Sequence, residues 1–525
     1  MIVALLAAGL TYVAPATPVR WTVTAPPSGW TAARFDDHGW TAATLPLVGD
    51  GRIDAGNPTI PAAQKVPGAA MTVFVRARFH VGAEKLRSLA LRTRFAEGLV
   101  AWVDGTEIAR RYVATNAPPD APSVQIHGVE PESFIAAAHL APGDHVLSIE
   151  VHGHKPGLGP FVDATLEGFD VVRIVRGPYL LRPSATEVTV AWDTDLEAPG
   201  EVRYGGDADY GKSERSSLPV RHHALRLRGL SPSRTYHYSV IAGATDSGDA
   251  TFHTLPAGDE PIRFVVYGDT RNGHEIHARM VEQVIKEDPD FVLTLGDLVD
   301  RGSEEADWQR FFQVSAPLLR VLPIVPALGN HEVYRATEGL AHWLDNFPPP
   351  PGAPEPGYYA FDAAGVHFTI LDSNALKSPR QLAWCEQDLA RASKARARFV
   401  AMHDGPWSVG FHGGNADAVR AYVPLFQKYS VSMVFSGHDH DYERGRQSSL
   451  DYIVSGGGGA PLYPTRCGAP GRIPCPQTTL AVTNEYHYVL VEVHRDDYRI
   501  CPKRIDGTAL ESCVDLPVRR SKHEQ

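Results

Sequence analysis

Five short segments carry side chains that could hold metal ions. They are Asp269 in GDTRNGH, Asp297 and Asp300 in GDLVDRG, Asn330 and His331 in GNHE, His403 in AMHDGPW, and His438 with His440 in GHDH. Carboxylate, amide oxygen and imidazole nitrogen form the mixed hard and borderline donor set of Mn, Fe or Zn, and no thiolate belongs to the group. Two cations about 3.5 to 4 Å apart need a bridging ligand and roughly three more ligands each, which this inventory supplies. One residue breaks the pattern. Arg271, two positions after Asp269, is permanently charged and offers only donors, so it cannot bind a metal.

The residues around these segments predict how they are brought together. RFVVYGDT reads as a buried strand, EIHARMVEQVIKED as an amphipathic helix and DFVLTLGDLVD as a second strand, which makes a β-α-β unit. LPIVPALGNHE, HFTILDSN, RFVAMHDG, VSMVFSGHDH and DYIVSGGGG follow as further strands with polar C-terminal ends. Ligands of open α/β sheets bind at such edges, so these segments are expected to deliver their groups to one rim. SGGGGAPLYP, from Ser455 to Pro464, predicts a loop in which backbone approaches backbone. It has no Walker Lys-Ser/Thr pair, so nucleotide binding of the P-loop kind is excluded.

The chain of 525 residues is too long for one core and predicts about three domains. The high Gly and Pro counts, 47 and 42, favour short strands and loops over long helices. A net charge of −11 and the lack of a basic stripe exclude nucleic acid as a partner. The opening MIVALLAAGLTYVAPA has signal-peptide length and small residues at Ala14 and Ala16, but no positive n-region. Residues 1–20 are therefore read as a leader, with secreted or periplasmic location expected; an apolar N-terminal strand is the alternative. No later run reaches the length of a membrane span. Cys467, Cys475, Cys501 and Cys513 lack C-x-x-C spacing and fit two disulfides of undetermined pairing. Cys385, in QLAWCEQDLA, is expected to be buried.

Residues 21–170 alternate in short strands broken by Pro, Gly and Asp and predict a β-sandwich. Within them VAWVDGTEIARR is a hairpin turning at Asp104 and Gly105. FDDHGWTAATLP and this hairpin resemble galactose-binding-like jelly-roll modules. The resemblance implies either a carbohydrate site or packing against a neighbouring domain, with packing preferred. Residues 171–257 form a second β-unit, with Trp192 as a core residue and Leu230, Pro232 and Tyr236 ordered as at a tyrosine corner. RGPYLLRPSATEVTVAWDT resembles the fibronectin type III-like domain that precedes the catalytic domain of purple acid phosphatases.

From Arg263 to about His494 the ordered motifs resemble the calcineurin-like metallophosphoesterase superfamily. GHDHDYERG is similar to the purple acid phosphatase segment, and GDLVDRG to that of Ser/Thr protein phosphatases. The resemblance implies an α/β catalytic domain over 258–520, a four-layer α/β/β/α sandwich preceded by two all-β sandwich domains. It also implies two divalent or trivalent ions of Fe, Mn or Zn. Asp297 would bridge them, Asp269 and His440 would hold the first, and Asn330, His403 and His438 the second. His331 would serve as general acid or phosphate contact, oriented by the carboxylate of Asp300. Purple acid phosphatases place a tyrosine where Asp300 stands, so this protein is not expected to be purple.

Superfamily members supply a metal-binding histidine where Arg271 stands. The preferred reading makes Arg271 a phosphate clamp, shared with Arg301, and lets His277, or next His274, complete the first metal's shell. In a second reading Arg271 only pairs with a carboxylate behind the ligands, and in a third the first metal site is weakened. His412, nine residues after His403, has the spacing of substrate-contacting histidines in purple acid phosphatases, or is a solvated loop residue. The expected activity is hydrolysis of small phosphate esters by a metal-bridging hydroxide, monoesters first and diesters as the alternative. A non-catalytic glycan- or surface-binding protein is the rival from another class.

Overall fold

The computed structural model describes residues 9–50, 64–124, 129, 131–157, 159–334, 337–447, 449–468 and 473–519. The chain divides into two compact units. Residues 1–8 of the expected leader lie outside the described residues, while Leu10–Val13 is a strand paired with Phe161–Phe169. The first unit holds two six-stranded sheets closing on a core that includes Val75, Phe95, Ile149 and Leu166. The expected hairpin is present: Val103 pairs with Thr106, and Asp104 and Gly105 both take positive φ, 50° and 87°. Both turn residues of a type I′ hairpin need that conformation.

The second unit is built on a twelve-stranded and a seven-stranded sheet. Ile262–Tyr267, Phe291–Thr294 and Ile324–Pro326 run parallel in the larger one. Val366–Ile370, Ala397–Ala401, Met433–Ser436 and Leu450–Ser455 run parallel in the smaller one. Period-2 alternation decides what each strand faces. Phe264 and Val266 join Phe368, Phe399, Phe435 and Ile453 in a core that takes residues from both sheets. Val265 and Tyr267, one position out of phase, pack with Met280, Val281 and Val284 of helix His274–Lys286. On the smaller sheet Val400, Val434 and Val454 meet Cys385 and Leu389 of helix Pro379–Arg391 and Phe426 of helix Val423–Lys428. The result is the expected α/β/β/α layering.

The larger sheet continues beyond these layers. Ile174–Leu181 joins it in parallel through Leu181 and Ile324, followed by Glu187–Gly205 and Thr235–Ala242. In this β-rich part Trp192 is fully buried and stacked on His223, with centroids 4.6 Å apart. The Tyr236 hydroxyl accepts the Ser231 N–H at 2.9 Å, as a tyrosine corner requires. Disulfides link Cys467 to Cys475 and Cys501 to Cys513, and Cys385 is free and buried. No helix among the described residues is long and apolar enough to cross a membrane.

Candidate metal centre

Both sheets end at one site because the loops after six parallel strands, three from each sheet, converge. The turn after Ile262–Tyr267 is stitched to the turn after Phe291–Thr294 by two backbone bonds, Asp269 N–H to Gly296 O at 3.0 Å and Arg271 N–H to Asp297 O at 3.1 Å. The glycine loop after Leu450–Ser455 closes from the other sheet, and Gly458 N–H donates to Gly268 O at 2.9 Å. A Cβ on Gly458 would stand 2.1 Å from that same oxygen, so the close approach expected of this loop requires glycine there. At the third strand end, a Cβ on Gly329 would come within 2.2 Å of Asp297 N and Oδ1. Asp269, Asp297 and His438 hold left-handed φ values of 61°, 53° and 70°. Such conformations cost free energy in non-glycine residues and gather where a site over-determines the backbone.

Asp269, Asp297 and His403 are buried, and one donor atom of each lies within 4.8 Å of the others. Around His403 Nε2 stand Asn330 Oδ1 at 2.8 Å, His438 Nδ1 at 3.2 Å and Asp297 Oδ1 at 3.3 Å. His440 Nε2 stands 3.5 Å from Asp269 Oδ1. The six residues expected as ligands are thus in one cluster. Two backbone carbonyls fix the imidazoles. His403 Nδ1 bonds Leu295 O at 2.8 Å, and His440 Nδ1 bonds Pro461 O at 2.7 Å, so each ring turns its Nε2 toward the carboxylates. This is how metal-binding histidines are oriented.

The electrostatics test whether a cation belongs here. Burial disfavours charge on His403, yet Asp297 and Asp269 outweigh it and push the ring up to about 10. Burial and the neighbouring His403 push His438 down to about 3. Asp297 is held well below the usual carboxylate range, where His403 and His331 overcome its burial. Two buried carboxylates therefore demand positive charge at the point where imidazole, amide and carboxylate donors meet. A metal ion meets that demand and uses every donor, so the residues fit it.

The surrounding residues depart from expectation in three places. Asp300 does not orient His331 through its carboxylate, which is 3.9 Å from Nδ1; its backbone carbonyl takes that bond at 2.6 Å. The carboxylate instead accepts Arg271 Nε at 2.9 Å and Nη2 at 2.5 Å. Arg301 is drawn away from a shared clamp, because Nε and Nη2 bind Asp307 at 3.1 and 2.9 Å in the first turn of helix Glu305–Leu319. His277 is not in the cluster. It packs between Tyr267 and Phe311, its Nε2 is 3.3 Å from Tyr267 Oη, and burial pushes it down to about 3. His274 is the first residue of the same helix. His412 lies at the cluster's edge, its ring centroid 4.3 Å from that of His438.

Three residues of the site escaped sequence reasoning. Glu332, fully buried, accepts the N–H groups of Gly329, Asp297 and Leu298 at 2.9, 3.0 and 2.7 Å, which clamps two ligand-bearing turns together. Its place beside Asn330 and His331 was the available signal. Tyr463 stacks on His440 with centroids 4.0 Å apart and hydrogen-bonds Arg271. Asp439 accepts His412 N–H at 2.7 Å and Ser408 Oγ–H at 2.5 Å, which pins the loop that carries His412.

Residues 262–442 match the family model for calcineurin-like phosphoesterases. The chain carries a calcineurin-like phosphoesterase domain. It is similar to purple acid phosphatase 13 of Arabidopsis thaliana, with 28% identity over 48% of this chain and 57% of that protein. It is likewise similar to the phosphoenolpyruvate phosphatase of Allium cepa, with 28% identity over 55% of this chain and 66% of that one. The chain thus spans between half and two thirds of these relatives' length. Among solved structures, purple acid phosphatase PPD1 from yellow lupin seeds superposes with a TM-score of 0.61 at 17% identity, over 91% of this chain and 97% of that one. That likeness establishes a shared fold for the phosphoesterase domain and the β-domains before it.

Proposed function

We propose that the protein is a dinuclear-metal hydrolase of small phosphate esters, with monoesters preferred. The observation that carries the reading is the meeting of Asp297, Asn330 and His438 around His403 Nε2, with Asp269 and His440 beside them. Asp297 would lie between two ions, Asp269 and His440 would hold one, and Asn330, His403 and His438 the other. Bound metals supply Lewis acidity toward the phosphate oxygens and lower the pKa of water. The chain's own groups then do the rest.

Arg271, steadied by Asp300 and Tyr463, presents donors to phosphate oxygens beside the ligands. His331 donates its Nδ1–H to the Asp300 carbonyl, and the imidazolium form would deliver from Nε2 the proton that the departing alkoxide needs. His412, backed by the anchored Asp439 loop, reaches the same rim. The two disulfides support an oxidising compartment, secreted or periplasmic.

The test combines metal analysis of purified protein with turnover of p-nitrophenyl phosphate and bis(p-nitrophenyl) phosphate. Two equivalents of Fe, Mn or Zn and faster monoester turnover are expected. Full metal content without hydrolysis of either ester refutes the activity, and faster diester turnover reverses the substrate class.

A further inference from the structure

A cavity of about 400 Å³ opens in the second unit, away from the metal ligands: none of Asp269, Asp297, Asn330 or His403 lines it. One wall is the segment from Leu181 to Thr189 with Arg226; the other is Trp343, Phe347 and the four prolines 348–351. Ile324, Val325 and Pro326 lie between them, and Tyr359, Phe361 and Asp362 also line it. The size lies within the range of small-molecule sites, and most of the lining is apolar or aromatic.

Its charges are unevenly matched. Glu187 pairs with Arg226, and Asp362 is bound to His367 Nδ1 at 2.8 Å, so both acids of the lining have cationic partners. Arg182 has none. Its Nη2 donates to the carbonyls of Pro348 and Pro349, which bring no negative charge, and its Nε is sealed from solvent without an acceptor. Burial and the charge of Arg226 both press on this guanidinium, and no carboxylate among the described residues relieves it. A cation held in an apolar recess with only dipoles for company attracts an anion strongly, because little water competes for it. Arg182 also sits at a left-handed φ of 57°, so its place at the cavity wall is held against backbone preference.

We propose that this cavity is a binding site for a small organic carboxylate, its apolar body between Trp343, Phe347 and the prolines and its carboxylate on Arg182. The alcohol and amine of the same skeleton would fill the space but leave the guanidinium unpaired or opposed.

Titration calorimetry with 4-phenylbutyrate, 4-phenylbutan-1-ol and 4-phenylbutylamine tests the site on the full chain. Carboxylate that binds at the metal centre instead is told apart because it would survive S184W. The carboxylate is expected to bind about tenfold or more tighter than the alcohol, and the amine more weakly still, as the loss of a charge-assisted hydrogen bond implies. R182Q should bring the carboxylate to the alcohol's affinity. S184W, which fills the cavity from its rim and leaves Arg182 in place, should abolish binding of both, and it decides the matter if R182Q fails to fold. No carboxylate binding at millimolar concentration overturns the proposal. So does equal affinity for the amine, or binding that survives S184W.

Discussion

Arg271→Ala separates the two roles open to the arginine. The guanidinium is mostly buried and gives Nε and Nη2 to a single Asp300 oxygen, at 2.9 and 2.5 Å. If it also meets the substrate, truncation removes a charge-assisted hydrogen bond of about 1.5 to 3 kcal/mol. At about 1.4 kcal/mol per decade, kcat/KM on p-nitrophenyl phosphate should fall roughly 10- to 150-fold. Metal content should not change, because Arg271 is no ligand. Asp300→Asn leaves the Arg271 guanidinium charged and loses only its aim, so its loss should be smaller. If the pair were purely a brace for the loop, the single variants and the double variant would all show the same loss. Arg271→His adds a further arm: a clamp requires KM to rise, whereas a displaced ligand requires metal affinity to rise with activity kept. Steady-state kinetics with metal analysis on each variant give the answer. Retention of kcat/KM within about threefold in Arg271→Ala, at full metal occupancy, refutes the clamp.

Glu332→Gln should weaken metal affinity or activity by about 10- to 100-fold without touching a ligand, because an amide NH2 replaces one of the two oxygens that accept three backbone N–H groups; metal titration of the variant checks this. His367 lies between Asp362 and Asp388, which outweigh its burial and push it up to about 9 from 6.5. The folded value exceeds the unfolded one, so the stabilisation is full below about pH 6.5 and fades as pH rises through 9. It is on the order of 3 kcal/mol, and urea midpoints at pH 6 and 9.5 should converge in His367→Asn. Removing Cys501 and Cys513 together opens a bridge with a sequence separation of 12 and should cost about 3 kcal/mol, read as a lower thermal midpoint.

What could be read from the sequence follows from the range of the forces involved. A side chain at the end of a parallel strand is positioned by strand period and by the edge rule, so the meeting of Asp269, Asp297, Asn330, His403, His438 and His440 at one rim was legible. His277 was misread as a spare ligand although its spacing carried the answer. His277, Met280, Val281 and Val284 form one i, i+3, i+4, i+7 stripe, the face that a helix turns to its sheet. Asp300 and Arg301 fail for a different reason. Sequence shows that a carboxylate and a guanidinium are near the site, but not which acceptor each donor takes. That choice depends on angstrom differences between His331, Arg271, Arg301 and Asp307, set by helix Glu305–Leu319 docking behind them.

The pairing of Leu181 with Ile324 was invisible in the same way, because one parallel contact leaves no mark on hydrophobic period. That contact has a mechanical consequence. Ile324–Pro326 is the strand whose end carries Asn330, and it is hydrogen-bonded to Phe291–Thr294, whose end carries Asp297. Two residues of the candidate metal centre are therefore borne by the sheet that also contains Ile174–Leu181, Glu187–Gly205 and Thr235–Ala242. A deformation of those strands would reach Asn330 and Asp297 through this backbone pairing.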